Sequence, residues 1–158
     1  MPESPLLSRK APAFSLPDQD GKVRTLREFA GRTVVIYFYP KDDTPGCTRE
    51  SCAFRDLSPA LAKRDVVILG VSADSAASHA KFAKKFSLPF PLLADTEKTM
   101  IKAYGAWGTK SMYGKSHEGI VRSTVVIDAT GKVVQHWTKV SGAEAHPAEV
   151  AEFIATLA

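Results

Sequence analysis

Cysteine is scarce in this chain, which has two cysteines among 158 residues. No C-x-x-C pair is present, so the sequence lacks the dithiol motif of thioredoxin-type oxidoreductases. The two cysteines and the four histidines do not show the spacing of zinc ligands. The sequence therefore predicts no metal site, and it contains no motif for another cofactor.

Long apolar runs and low-complexity segments are also missing. The N-terminal stretch MPESPLLSRKAPAF has no apolar core of signal-peptide length, and no later segment approaches the length of a membrane span. We therefore expect a cytoplasmic protein with no membrane contact. Structural disulfides are rare in that reducing compartment, so the cysteines are expected to be catalytic, redox-active or inert.

Charge of one sign is not concentrated anywhere in the sequence. The net charge is +4 and the pI is about 9.1, but lysines and arginines are interspersed with acidic residues. This distribution is typical of a solvated surface and does not indicate a nucleic-acid partner. The composition and length predict one globular domain over residues 1–158.

Buried strands and amphipathic helices alternate along the chain. Residues 33–40 and 66–74 are continuous β-branched and aromatic runs, the pattern of strands buried on both faces. Apolar residues from 47 to about 63 recur at helical spacing, and a later helix in TEKTMIKAYGA is predicted to be capped by Thr96.

The C-terminal part of the sequence predicts a hairpin, RSTVVID with KVVQHWTKV, followed by a helix in HPAEVAEFIATL. The fold class is therefore α/β, with a mixed central sheet flanked by helices. Such sheets place their sites beyond the carboxyl ends of the strands, where the segment after residue 40 lies.

Cys47 is expected in the first turn of a helix, with Pro45 in the first turn before it and Thr44 as the cap. Unpaired N–H groups and the helix dipole favour an anion there and lower the pKa of a thiol, so a thiolate is expected. The alternative is that Cys47 is a small buried hydrophobic residue. The polar, turn-rich lead-in DDTPG favours the reactive interpretation.

Cys52 lies on the apolar stripe of the same predicted helix and could be an inert core residue. Five positions along an ideal helix separate two Cα atoms by about 8.6 Å. A disulfide tolerates a Cα separation of no more than about 7 Å. The two cysteines can therefore bond only if the first helical turn unwinds.

The stretch PKDDTPGCTRESC resembles the active-site signature of peroxiredoxins, a proline, three residues, a threonine, two residues and a cysteine. SMYGK at 111–115 and GIVRSTVVID at 119–128 look like the bacterioferritin comigratory protein, or peroxiredoxin Q, subfamily. The resemblance covers nearly the whole chain. It implies a thioredoxin-like fold and thiol peroxidase activity on hydrogen peroxide and organic hydroperoxides.

The resemblance also implies residue roles. Cys47 corresponds to the peroxidatic cysteine, Thr44 to the hydroxyl that bonds sulfur and peroxide oxygen, and Pro40 to the shield over the thiolate. Arg122 matches the active-site arginine, whose permanent charge suits both a thiolate and peroxide oxygens. Glu50 is placed by the same pattern to hold an arginine in position; the alternative is that it only stabilises the helix N-terminus.

Cys52 resembles the resolving cysteine of those subfamily members that have it five positions on, which implies an internal disulfide reopened by thioredoxin. The resemblance favours a monomer. Two other hypotheses remain open at this stage: a peroxide-sensing redox switch and a dithiol oxidoreductase acting on protein disulfides. The four histidines are interpreted as surface or packing residues rather than general bases.

Overall fold

A mixed sheet with helices on both sides forms the protein, whose computed structural model describes residues 4–112 and 114–157. Nine strands and four α-helices occur in these residues. In chain order they are β1 (Ser15–Pro17), β2 (Val23–Thr25), β3 (Thr33–Phe38), α1 (Pro45–Lys63), β4 (Val66–Ser72), α2 (Ala76–Phe86), β5 (Leu92–Ala94), α3 (Thr99–Ala103), β6 (Trp107–Met112), β7 (Lys115–Ile120), β8 (Ser123–Ile127), β9 (Val133–Trp137) and α4 (His146–Ala155). A short 3-10 helix, Leu26–Phe29, follows β2.

The central sheet has five strands in the order β5-β4-β3-β8-β9. Its β5, β4 and β3 strands are parallel, and β8 and β9 join in antiparallel orientation. This confirms the predicted mixed sheet and the C-terminal hairpin. Phe38, the last residue of β3, pairs with Ser123, the first residue of β8. The start of β8 therefore lies at the carboxyl end of β3.

Side chains of β3 alternate between two apolar cores, as expected for a strand buried on both faces. Val35 and Tyr37 pack with residues of α1, α2 and α4. Val34 and Ile36 pack on the opposite face with residues of the N-terminal segment and α3. Pro40 lies two residues beyond the end of β3, where the chain leaves the sheet.

The start of α3 differs from the prediction. The helix begins at Thr99 with Lys98, at φ +64°, in the cap position, so the prediction of a Thr96 cap is wrong. The buried carboxylate of Asp95 instead accepts a hydrogen bond from the N–H of Ile101 at 2.7 Å. This contact satisfies a backbone donor of the first turn that a capping side chain would otherwise reach.

The antiparallel hairpin of β6 with β7, which adds to β1–β2 and β8–β9, was not predicted. Its sequence is mostly polar, so it lacks the alternation of apolar and polar residues that marks a half-buried strand. Of the SMYGK segment, Ser111 and Met112 end β6, Gly114 has φ +76° and Lys115 begins β7, whereas Tyr113 lies outside the described residues. Among the residues that the structure describes, no helix is both long and apolar enough to cross a membrane.

Candidate active site

The loop of residues 39–44 leads from β3 into α1. Pro45 occupies the first turn of α1, where its missing N–H leaves no hydrogen bond unmade, and Thr44 holds the cap position with extended backbone angles. The hydroxyl of Thr44 does not cap the helix, because it donates to the carbonyl of Lys41 at 2.8 Å. The N–H groups of Gly46 and Cys47 belong to the first turn, which has no intrahelical acceptor for them.

Cys47 is the third residue of α1 and is 1% exposed. Arg122 lies one residue before β8, and its Nη2 donates to the Cys47 Sγ at 3.3 Å. These residues are 75 positions apart in the chain. The antiparallel pairing of β3 with β8 brings them together, because it places the start of β8 beside the loop that β3 enters.

Glu50 lies one helical turn after Cys47 and is completely buried. Its Oε1 accepts a hydrogen bond from Arg122 Nη1 at 2.8 Å. Its Oε2 has no hydrogen-bond partner among the residues that the structure describes. Burial raises the pKa of Glu50 to about 7, although the neighbouring Arg122 works in the opposite direction.

The guanidinium of Arg122 therefore bridges a thiol and a carboxyl. Burial alone would lower its pKa, but the negative charge of Glu50 and the Cys47 sulfur outweigh burial and raise it. Two separate nitrogens make the two contacts, which a lysine ammonium could not reproduce in this planar geometry. The site is thus a buried sulfur facing a fixed cation at a helix N-terminus.

Gly46 leaves the space that this guanidinium occupies. A Cβ built on Gly46 would lie 3.2 Å from Arg122 Nη2, which is tighter than an ordinary van der Waals contact. Any larger residue here would press on the guanidinium. The glycine therefore serves a close approach between the start of α1 and Arg122.

Pro40 and Thr44 are both half-buried in the same loop. Cys52 lies further along α1, is half-buried and carries a free thiol, as does Cys47. Between them the hydroxyl of Ser51 is fully buried and hydrogen-bonds the Tyr37 hydroxyl at 2.8 Å. This bond ties the second turn of α1 to the central strand. Because α1 is continuous through both positions, the folded helix keeps the Cα atoms of the two cysteines about 8.6 Å apart.

A second set of polar residues near the loop was not singled out from the sequence. The carboxylate of Asp42 accepts hydrogen bonds from Tyr39, Ser78 and His79, and His79 is fully buried. His79 is thus buried, as a packing residue would be, and it also hydrogen-bonds the loop before α1 through Asp42. No spacing signal connects residues 42 and 79, because they meet only when α2 packs beside the loop.

Three side chains in this set could in principle hold a metal ion. One ligand atom each from Asp42, Asp74 and His79 lies within 4.8 Å of the others. Each residue already has protein hydrogen-bond partners, including Tyr39 and Ser78 for Asp42 and the carbonyl of Leu93 for His79. A metal ion would have to displace these bonds, so the donors fit a polar anchor better than a metal centre.

A family model described as the AhpC/TSA family matches residues 7–136. The chain belongs to this family. A peroxiredoxin Bcp of Bacillus subtilis is 43% identical over 151 residues, which cover 96% of this chain and 94% of the relative. A putative peroxiredoxin bcp of Coxiella burnetii is 45% identical over 144 residues, or 91% and 95% of the two chains.

Solved structures agree with this placement. A cysteine-to-serine mutant of Xanthomonas campestris peroxiredoxin Q superposes with a TM-score of 0.87 at 43% identity, covering 92% of each chain. Another structure, of bacterioferritin comigratory protein from the same organism, is described in terms of alkyl peroxide reduction activity. It superposes with a TM-score of 0.85 at 42% identity, covering 90% of each chain. The fold is therefore the thioredoxin-like fold of peroxiredoxins, and the subfamily is that of the Bcp and peroxiredoxin Q proteins. The chain is accordingly an oxidoreductase of the peroxidase class.

Proposed function

We propose that the protein reduces hydrogen peroxide and organic hydroperoxides through Cys47, with Cys52 resolving the oxidised intermediate. The observation that carries this proposal is the 3.3 Å contact between Arg122 and the Cys47 sulfur at the start of α1. The Xanthomonas relative described as reducing alkyl peroxides supports organic hydroperoxides as part of the substrate class.

In the first step, the Cys47 thiolate attacks the terminal oxygen of the hydroperoxide. The O–O bond breaks, sulfur is oxidised to sulfenic acid, and the alkoxide or hydroxide leaving group takes up a proton to become alcohol or water. Arg122 and the first N–H groups of α1 stabilise the charge that moves onto the leaving oxygen. The cation and the helix N-terminus need no reorganisation at that moment, since both are already in place.

Thr44 and Pro40 are proposed to shape the place where the peroxide lies. The single proton of the Thr44 hydroxyl is donated to the Lys41 carbonyl, so its oxygen lone pairs remain to accept from the peroxide O–H. Pro40 limits access of water at the same loop. Glu50 holds the guanidinium of Arg122 through the 2.8 Å contact.

In the second step, the Cys52 thiol condenses with the Cys47 sulfenic acid, which forms a disulfide and releases water. The first turn of α1 has to unwind for this step, because one continuous helix keeps the two Cα atoms about 8.6 Å apart. An external dithiol protein, for which thioredoxin is the proposed donor, then reduces the disulfide by exchange and is itself oxidised.

The test is peroxide consumption by three forms of the protein in a coupled thioredoxin assay. We expect full turnover by the wild type, none by Cys47→Ser, and about one equivalent of peroxide consumed by Cys52→Ser before it stalls as sulfenic acid. Intact mass after one equivalent of peroxide should show a loss of two hydrogens with a crosslink between 47 and 52 in the wild type. Thioredoxin-dependent turnover by Cys47→Ser would refute the assignment.

The competing hypotheses predict different results in the same assay. A redox sensor would form the disulfide but turn over poorly, and a dithiol oxidoreductase would reduce protein disulfides without a preference for peroxide. The contact of Arg122 with the sulfur argues against the dithiol oxidoreductase, because exchange with a protein disulfide needs no cation placed to bind peroxide oxygens. Catalytic turnover separates the peroxidase from the sensor.

A further inference from the structure

A buried polar cluster anchors the loop that precedes Cys47. We call it the Asp42 cluster; its members are Tyr39, Asp42, Ser78 and His79. Tyr39 and His79 are fully buried and Asp42 is 8% exposed. Asp42 lies two residues before Thr44 and five before Cys47, so its position affects the residues that face the peroxide.

The carboxylate of Asp42 is unusually well satisfied. Its Oδ1 accepts from the Tyr39 hydroxyl at 2.6 Å, and its Oδ2 accepts from Ser78 Oγ at 2.8 Å. The Nδ1 of His79 lies 2.7 Å from the same Oδ2. Buried polar networks of this kind are rigid when every member has a partner.

The imidazole of His79 links this carboxylate to the central sheet. Its Nε2 lies 2.9 Å from the carbonyl oxygen of Leu93 in β5. A carbonyl only accepts, so Nε2 carries a proton and donates it. One ring thus connects the loop, through Asp42, with a strand 14 residues further along the chain than the histidine itself.

The backbone of the loop is held at the same residue. The N–H of Asp42 donates to Asp74 Oδ2 at 2.8 Å, and Ser72 Oγ donates to that same oxygen at 2.7 Å. The next residue, Asp43, has a left-handed backbone with φ +56°, and its exposed carboxylate contacts Lys85 at 2.8 Å. Asp42 is therefore the last firmly anchored residue before the chain reaches Thr44.

We propose that Asp42 and His79 are positioning residues for the peroxide step, an inference that rests on the proposed function. They fix the loop of residues 40–44 against β5 and α2, so that Thr44 and the start of α1 face the peroxide in one geometry. A displacement of about 1 Å at a reacting site can cost about 100-fold in rate. Asp42 also marks the fixed end of the segment that moves when the first turn of α1 unwinds.

Two substitutions of His79 separate positioning from stability. The side-chain nitrogen of asparagine takes the place of Nδ1, so His79→Asn keeps a donor to Asp42 and loses the bond to Leu93. The longer glutamine places its nitrogen near Nε2, so His79→Gln keeps the bond to Leu93 and loses the donor to Asp42. Each variant lacks one of the two buried hydrogen bonds, and both replace the imidazole ring with a neutral amide, so both are expected to lose similar stability in urea unfolding.

The measurement is the second-order rate constant for Cys47 oxidation by hydrogen peroxide in single turnover, made in a Cys52→Ser background. We expect His79→Asn to react within about threefold of the parent and His79→Gln to be slower by about tenfold or more. Asp42→Asn is expected to be slowed like His79→Gln. Asp18→Asn is the matched control, since Asp18 is a buried carboxylate that accepts from Arg24 and from two backbone N–H groups of the turn between β1 and β2.

The control variant, Asp18→Asn, should have a lower free energy of unfolding but an unchanged rate constant for Cys47 oxidation. Equal rates for the two His79 variants, whether both fast or both slow, would overturn the positioning role, because the link to Asp42 would then not set the rate. Failure of the parent protein to consume peroxide would instead refute the proposed function. The two failures are therefore distinguishable.

Discussion

Two buried carboxyl groups lie on either side of Cys47 in the sequence, and they differ in how fully they are paired. Asp42 accepts from three side chains, whereas Glu50 has one contact, with Arg122, and an Oε2 without a partner among the described residues. Asp42 precedes α1 in the loop, and Glu50 lies within α1 itself. The well-paired group is thus in the loop that we propose to stay fixed, and the poorly paired group lies in the second turn of α1, directly after the turn that we propose to unwind.

This difference gives the proposed unwinding a physical basis. Local opening occurs preferentially where the folded state gains least. Burial of Glu50 raises its pKa to about 7, so its ionised form is held in the folded helix at a cost. Unwinding of the first turn of α1 would bring water next to that carboxyl, which lies in the following turn. The Asp42 cluster offers no comparable gain, because its donors and acceptors already match.

The largest expected effect comes from removing the Arg122 guanidinium, which contacts both Glu50 and Cys47. Arg122→Met should slow Cys47 oxidation by about 100-fold or more, since a fixed electrostatic contact to the developing charge is lost. Stopped-flow measurement of the first oxidation step checks this. Arg24→Met is the matched control, because it removes an arginine of β2 that is paired with the buried Asp18. Equal slowing by both variants would contradict the role of Arg122.

The next effect concerns the pH dependence of stability. The pKa of Glu50 is raised in the folded state from its ordinary value of 4.5 to about 7. Its stabilising contribution is therefore full below about pH 4.5 and is lost as the pH rises through about 7. Between about pH 5 and pH 8, the wild type should lose about 2 kcal/mol more free energy of unfolding than Glu50→Gln.

Urea unfolding of the reduced proteins at the two pH values measures this difference. Asp18→Asn should retain the wild-type dependence over the same interval, because the pKa of Asp18 is lowered and its titration lies in the acid range. If the free energies of unfolding of Glu50→Gln and the wild type change in parallel with pH, the pKa of Glu50 is not raised in the folded state. The contrast with Asp42 would then fail.

The smallest expected effect is steric. Gly46→Ala should displace the Arg122 guanidinium by a few tenths of an ångström, because the new Cβ would lie 3.2 Å from Nη2. We expect Cys47 oxidation to slow by about two- to fivefold. Gly142→Ala is the matched control, since a Cβ at that glycine meets no atom within 4 Å. An unchanged rate in Gly46→Ala would show that the guanidinium tolerates movement.

Much of the site is predictable because its signals are local. Pro45 at the start of α1 follows from residue types within a few positions of Cys47, and the structure confirms that Cys47 lies in the first turn. Thr44 holds the predicted cap position, but its hydroxyl bonds the Lys41 carbonyl instead of the helix. That choice depends on the path of the loop, which residue type alone does not specify.

Other features are invisible to local patterns. Residue spacing does not select Arg122 as the partner of Cys47, which was expected from the family resemblance alone. Nothing in the sequence connects Asp42 with His79, and the polar β6–β7 hairpin lacks the apolar alternation that would mark its strands. Contacts between distant segments carry no short-range signal of their own.

The amino-acid sequence by itself determined that β3 is a buried strand, that α1 follows it and that a cysteine lies in the first turn of that helix, because these depend on neighbouring residues. Only the tertiary structure decided what surrounds the cysteine. The register of β8 against β3 brings Arg122 to the sulfur, the depth of α1 raises the pKa of Glu50, and the packing of α2 joins His79 to Asp42. Each of these depends on how separate elements are packed, since burial and long-range contact exist only in the assembled fold.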